Sequence, residues 1–145
     1  MNDRTFLDTN IFVYAIDTSS KEKKKREHAR NLVKHHIINE SGVISIQVLQ
    51  EFFQVSTHKI KKPLSVEEAL EFLQYISILQ IVRPDYNMVT AAIHLHKNNS
   101  VSFWDAMILQ SAKSAACNFV LSEDLQDGFR LDEMVIKNPF NNLVK

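Results

Sequence analysis

Four acids fall where a folded chain could gather carboxylates. Asp8 directly follows Phe6 and Leu7, the end of a short strand candidate, and Asp124 lies three residues beyond the apolar run at Phe119, Val120 and Leu121. Open α/β sheets bind ligands outside the carboxyl ends of their strands, so these two acids are expected on one rim. Asp105 opens a helical pattern with Ser102 three residues earlier as a candidate N-cap, and it faces the same kind of edge. Glu51 lies inside another helical pattern, at the margin of a Gln47, Gln50 and Gln54 stripe and near Val55. Each acid also has an ordinary structural reading. Asp8 can cap a turn, Asp105 can favour the positive end of its helix dipole, Glu51 can be a surface glutamate, and turn chemistry can explain Ser122 to Gly128. Spacing alone does not choose between these readings.

Other reactive side chains form weaker patterns. Six histidines invite a zinc site, but His35 and His36, His94 and His96, and the isolated His28 and His58 have no companion cysteine pair and no H-E-x-x-H spacing. The single cysteine, Cys117, reads as a small core residue and cannot form an intrachain disulfide, which suits a cytoplasmic protein. Phe103 and Trp104 could stack on a base, yet at the head of an apolar helix they are expected in the core. Basic residues gather from Lys21 to Lys34 and from Lys59 to Lys62, either as solvated faces or as attractors of phosphate.

The elements that must position these groups follow from periodicity. Asn10 is a candidate cap for the apolar stretch Ile11 to Ile16. Helices are expected from about Glu22 to Ile37, from Ile46 to about Thr57, after the capping box Ser65 to Glu68, after Asp85, and from Trp104 to Ala115, the last being the most buried. Val66, Ala69, Leu70 and Leu73 would form one apolar stripe, and Val89, Ala92, Ile93 and His96 another. Short strands are expected around Phe6, Val43, Ile78 to Val82, Phe119 to Leu121, and Met134 to Ile136. Strands alternating with helices imply an α/β domain with a mostly parallel sheet covered on both faces.

Composition limits the class further. The chain has 145 residues, 45% of them hydrophobic and 23% charged, which excludes disorder as the main state and suits one domain over 1–145. Two glycines and three prolines disfavour an all-β fold with many turns. No stretch reaches the ~18 apolar residues of a membrane span, and Asp3, Arg4 and Asp8 interrupt any export-signal core, so no membrane partner is expected. The formal net charge is zero, which at first argues against a nucleic-acid partner. That balance is a sum of opposite parts. From Lys21 to Lys62 there are ten Lys and Arg against four Asp and Glu, and the remainder has seven against thirteen.

Taken together, F-L-D-T-N-I with Asp8, S-x-x-V-L-Q-E-F-F with Glu51, S-F-W-D-A-M-I with Asp105, and L-S-E-D-L-Q-D-G with Asp124, followed by a closing N-P-F, resemble the PIN-domain ribonucleases. The likeness is strongest to the small VapC-type toxins of bacterial toxin–antitoxin pairs. The four segments run in the family's order and span almost the whole chain. The resemblance implies a PIN-like three-layer α/β/α sandwich with four to five strands. It further implies an endoribonuclease in which Asp8, Glu51, Asp105 and Asp124 hold Mg²⁺ or Mn²⁺, directly or through water, with Glu51 ligating a second ion or orienting the attacking water. Clustered carboxylates repel one another, and oxygen-only ligands favour those hard cations over zinc. The same likeness suggests Thr9, Asn10 and Ser122 as groups that orient carboxylates or contact phosphate, and Asp127 as an auxiliary to Asp124. It implies an RNA substrate, reached through Lys59, Lys61 and Lys62, a protein antitoxin and a homodimer. Two other readings compete: a haloacid-dehalogenase-like phosphohydrolase, although Asp8-Thr9-Asn10 departs from that family's D-x-D, and a non-catalytic RNA-binding module, against which the presence of all four acids argues.

Overall fold

Strand β1 (Thr5–Leu7) is buried on both faces, Phe6 and Leu7 alike being fully enclosed, so it belongs in the middle of a covered sheet. In the computed structural model, which describes residues 3–19 and 21–143, it does lie there. The chain then forms α1 (Thr9–Ile16), α2 (Lys23–Ile38), β2 (Gly42–Ser45), α3 (Ile46–His58), α4 (Val66–Ile76), β3 (Gln80–Val82), α5 (Tyr86–Asn98), α6 (Phe103–Ser114), β4 (Phe119–Leu121), β5 (Arg130–Leu131) and β6 (Met134–Lys137). The sheet order is β3-β2-β1-β4-β6-β5, parallel throughout except for the β5–β6 pair. Helices flank it: α1 packs on α2 and α3, α3 on α4, and α5 on α6.

This order fixes where a ligand can bind. The chain leaves β1 toward β2 and β3 on one side and later returns to β4 on the other side of β1. The topological switch point therefore lies between the carboxyl ends of β1 and β4, at Asp8 and at Ser122.

Local chemistry explains the helix starts. Side chains of Asp8, Ser45, Asp85 and Ser102 each accept from a first-turn N–H, and Ser65 with Glu68 closes a reciprocal capping box. Gly42 sits in tight space: a Cβ there would stand 2.6 Å from Leu79 Cδ2 and 3.0 Å from His36 Cβ, so those side chains would have to shift. The core is built on Phe6, Phe12, Phe52, Ile11 and Ile44.

Several expectations change. The cap of α1 is Asp8, not Asn10, because the helix starts at Thr9. The sheet has six strands, since Asp132, at φ 54°, turns the chain so that Leu131 pairs with Met134. Two residues carry too little pattern to announce that strand. Helix α4 buries Ala69 and Ile76 and leaves Val66 and Leu70 exposed, and α5 buries Ala92 and Leu95 rather than Ile93 and His96. Trp104 is outside the core at 64% exposure, whereas α6 below it is as buried as its small and apolar residues suggest. No described helix is long and apolar enough to cross a membrane.

Candidate active site

Asp8 is placed twice over, as the residue directly after the central strand and as the cap of α1. Its Oδ1 accepts from Thr9 N at 2.7 Å and its Oδ2 from Ser122 Oγ at 2.7 Å. Burial pushes its carboxyl up to about 6. The two hydrogen bonds oppose that rise, and the charges of Glu51 and Asp124 add to it.

Ser122 organises the opposite side. The hydroxyl is fully buried, donates to Asp8, and accepts from the backbone N–H groups of Asp124 at 3.1 Å and Leu125 at 3.2 Å. One side chain therefore sets both Asp8 and the turn carrying Asp124. Asn10 completes the bracket: its Nδ2 donates to Asp124 Oδ2 at 3.1 Å and its Oδ1 accepts from Glu123 N at 3.3 Å. Thr9 reaches the other way, its hydroxyl donating to Glu51 Oε1 at 3.1 Å across to α3. Burial raises the Glu51 pKa, hydrogen bonds from Thr9 and Gln47 oppose the rise, and the charges of Asp105 and Asp124 add to it. Asp105, in the first turn of α6, lines a cleft of about 170 Å³ together with Asp124, Leu109, Leu125 and Phe129.

Four separate segments thus supply the acids, and the charges of the others bear on Asp8 and Glu51. Among the described residues, none of the four is ion-paired to a lysine or arginine. Glu123, their neighbour, is neutralised instead. It accepts from Tyr14 Oη at 2.7 Å and pairs with Lys25 Nζ at 2.7 Å, an arrangement sequence reasoning missed because three separate segments supply it. Burial and the Glu123 carboxylate push the Tyr14 phenol up to about 12. This clamp holds the Ser122–Asp124 turn against α1 and α2. Gln47, expected only as one member of the Gln47, Gln50 and Gln54 stripe, also contributes, its amide donating to the Trp104 carbonyl at 3.2 Å.

An oxygen-only set of unneutralised carboxylates around a buried Asp8 fits a hard divalent cation. Among the described residues no three acidic, histidine or cysteine groups stand at ligand spacing. Asp127 is not brought in. Its two oxygens accept from Asn138 N at 2.8 Å and Asn141 Nδ2 at 3.0 Å, tying down the C-terminal turn. Lys59, Lys61 and Lys62 are exposed just past the end of α3, and Lys59 is eight residues, roughly 12 Å of helix, beyond Glu51. Cys117 is buried, and burial pushes its thiol up to about 12, which leaves it inert.

Comparison with known proteins agrees with this architecture. The DNA-bound VapBC structure from Salmonella typhimurium is similar at 20% identity and TM-score 0.66, covering 95% of this chain and 99% of that one. VapBC2 from Rickettsia felis, bound to a promoter DNA fragment, is similar at 21% identity and TM-score 0.63, covering 92% and 97%. VapC20 of Mycobacterium tuberculosis, described as a sarcin–ricin loop cleaving toxin, is similar at 14% identity and TM-score 0.63, covering 83% and 91%. No curated protein matches at a significant level. The PIN domain family matches residues 5–130, most of the chain and all four acids, and the chain belongs to that family.

Proposed function

We propose that this PIN-domain chain is a divalent-metal-dependent endoribonuclease and the toxin of a toxin–antitoxin pair. One observation carries the reading: at the switch point of the sheet the charges of Glu51 and Asp124 act on the buried Asp8 and those of Asp105 and Asp124 on Glu51, while among the described residues no lysine or arginine pairs with any of the four. Leaving such acids together without a cation is electrostatically costly, and Mg²⁺ or Mn²⁺ matches their oxygen donors. Bound there, the ion supplies an activated water and neutralises charge on the scissile phosphate.

The chain's own residues do the rest. Thr9 N–H and Ser122 Oγ fix the Asp8 carboxylate, Asn10 aims Asp124, and Asp105 closes the far wall of the cleft. Glu51, held by Thr9 and raised in pKa by burial, is suited to orient water and accept its proton. Phosphate attraction falls first to the Lys21–Lys25 segment, which with Asn138, Phe140 and Asn141 lines a cavity of about 890 Å³ beside Glu123. Lys59, Lys61 and Lys62 then act at longer range, by steering. Asn10 supports Asp124 instead of supplying the second acid of a dehalogenase-type D-x-D, which removes the footing of that alternative.

Three of the similar solved structures are of toxin–antitoxin assemblies, which supports a protein antitoxin as partner. An apolar groove of about 600 Å³, lined by Ile16, Leu64, Phe72 and Tyr75 with Arg30 and Glu71 among its polar residues, offers space for it. A homodimer and a cytoplasmic location complete the proposal. The direct test is incubation with structured RNA in Mg²⁺, Mn²⁺ or chelator, alongside Asp8→Ala and Asp105→Ala. Cleavage that depends on metal and disappears in both variants is expected, and cleavage persisting in chelator or in both variants overturns the mechanism. RNA that is bound but never cut under any of these conditions would favour the non-catalytic module.

A further inference from the structure

Trp104 is the chain's one tryptophan, and it stands outside the core at 64% exposure on the first turn of α6, one residue from Asp105. An isolated exposed aromatic needs no explanation by itself. This one is fastened to the acid cleft. Its carbonyl accepts from Gln47 Nε2 at 3.2 Å, and Gln47 stands on α3 four residues before Glu51. A single amide therefore links the Trp104 backbone to the turn of α3 that carries one of the four acids, while a second acid follows it in the chain. The indole is steadied from the side, by a T-shaped contact with Phe103 at 5.0 Å and 68°, and Phe103 packs against the core. Such a contact anchors a ring while leaving most of its surface to solvent.

Resting on the nuclease reading above, we propose that Trp104 is a stacking platform for an unpaired base of the RNA, next to the phosphate that the acids position for attack by water. Every nucleobase presents a π face, and stacking on tryptophan gives grip without a strict sequence requirement. A strand lying over Trp104 would have its backbone led past Asp105 toward Asp8, so the platform sets which phosphate enters the cleft. The substrate class this selects is single-stranded RNA, or a loop whose bases are splayed, rather than a continuous duplex.

Because Trp104 has no other tryptophan to mask it, intrinsic fluorescence reports directly on the contact. The Asp8→Asn protein in Mg²⁺ is titrated with a uridine hexanucleotide and with an abasic ribose-phosphate oligomer of the same length. Quenching by the first and not by the second is expected. Followed by the anisotropy of an end-labelled oligomer, Trp104→Ala should weaken hexanucleotide binding by about 5- to 150-fold, Trp104→Phe should retain most of it, and the abasic oligomer should bind all three alike. In the otherwise native enzyme, Trp104→Ala should lower kcat/KM on single-stranded RNA by a similar factor, with Phe restoring it. Unchanged fluorescence with hexanucleotide bound, or an Ala variant within twofold of its parent in binding and in kcat/KM, overturns the platform even if RNA is cleaved. A protein that neither binds nor cleaves RNA overturns the nuclease reading and the platform with it.

Discussion

In the absence of metal the protein should carry two opposed pH dependences of similar size, each exposed by one substitution. Asp8 is 7% exposed, and burial, with the Glu51 and Asp124 charges adding, lifts its carboxyl from 3.8 to about 6. The folded state holds a proton that the unfolded chain has already released, so stability falls as pH rises from about 4 to about 6. His36 works the other way. It is 8% exposed beside Ser41, and burial, with the neighbouring His35 adding, lowers its pKa from 6.5 to about 4. Here the unfolded chain takes the proton first, so stability falls as pH drops from about 6.5 to about 4. Each shift amounts to about 3 kcal/mol, and in the native sequence the two largely offset one another. Urea denaturation in chelator, repeated from about pH 4 to about pH 7, separates them. Relative to the native protein, Asp8→Asn should gain about 3 kcal/mol on going up that range, and His36→Gln should lose about as much. Taking differences removes the other titrating groups. Mg²⁺ at neutral pH should then stabilise the native protein and not Asp8→Asn. If the Asp8→Asn difference moves by less than about 0.5 kcal/mol over the range, burial of a charged Asp8 is not the cost claimed for it.

Ser122→Ala should cost about 3 kcal/mol, because it strips a hydrogen bond from a buried carboxylate and leaves the Asp124 and Leu125 N–H groups unpaired; a lower urea midpoint at constant slope is the readout. Lys25→Ala should loosen the Ser122–Asp124 turn by about 1 kcal/mol, seen as faster amide exchange at Asp124 and Leu125, with little change elsewhere. Neutralising Lys21 and Lys23 together should flatten the salt dependence of RNA binding more than neutralising Lys61 and Lys62 together, since only the first pair lines the cavity beside Glu123. Equal slopes for the two pairs would return Lys61 and Lys62 to direct phosphate contact.

The parts of the fold visible in the sequence are those written in short-range pattern. Ser65 with Glu68, Asp85 and Ser102 announce their helices because a cap and its N–H lie within three residues of each other. Strands such as Phe119–Leu121 show because burial on both faces demands unbroken apolar runs. What stayed hidden depends on neighbours distant in sequence. Trp104 and Ile93 carry core-like character, yet no described element covers them. Within the site, the expectation of Asp8 and Asp124 on one rim came from each acid's position just past the carboxyl end of a strand in a mostly parallel sheet. The clamp of Tyr14, Lys25 and Glu123 did not, because none of its members has a local reason to meet the others.

The start of α2 shows how charge is used against local stability. Lys23, Lys24, Lys25 and Arg26 occupy its first turn, and Glu22 provides no side-chain cap. Cations at a helix N-terminus oppose its dipole, at about 0.3–1 kcal/mol each. The helix is held instead by Ala29, Val33 and His36 in the core and by packing on α1. Sequence preference would place those cations at the other end, so their position calls for a reason outside helix formation. Lys25 supplies one, neutralising Glu123 at the shoulder of the acid cleft, and Lys21 and Lys23 extend the same positive edge along the adjoining cavity. The zero net charge therefore conceals both signs side by side, Lys25 against Glu123 next to Asp124, which is the arrangement the proposed metal-dependent nuclease would use.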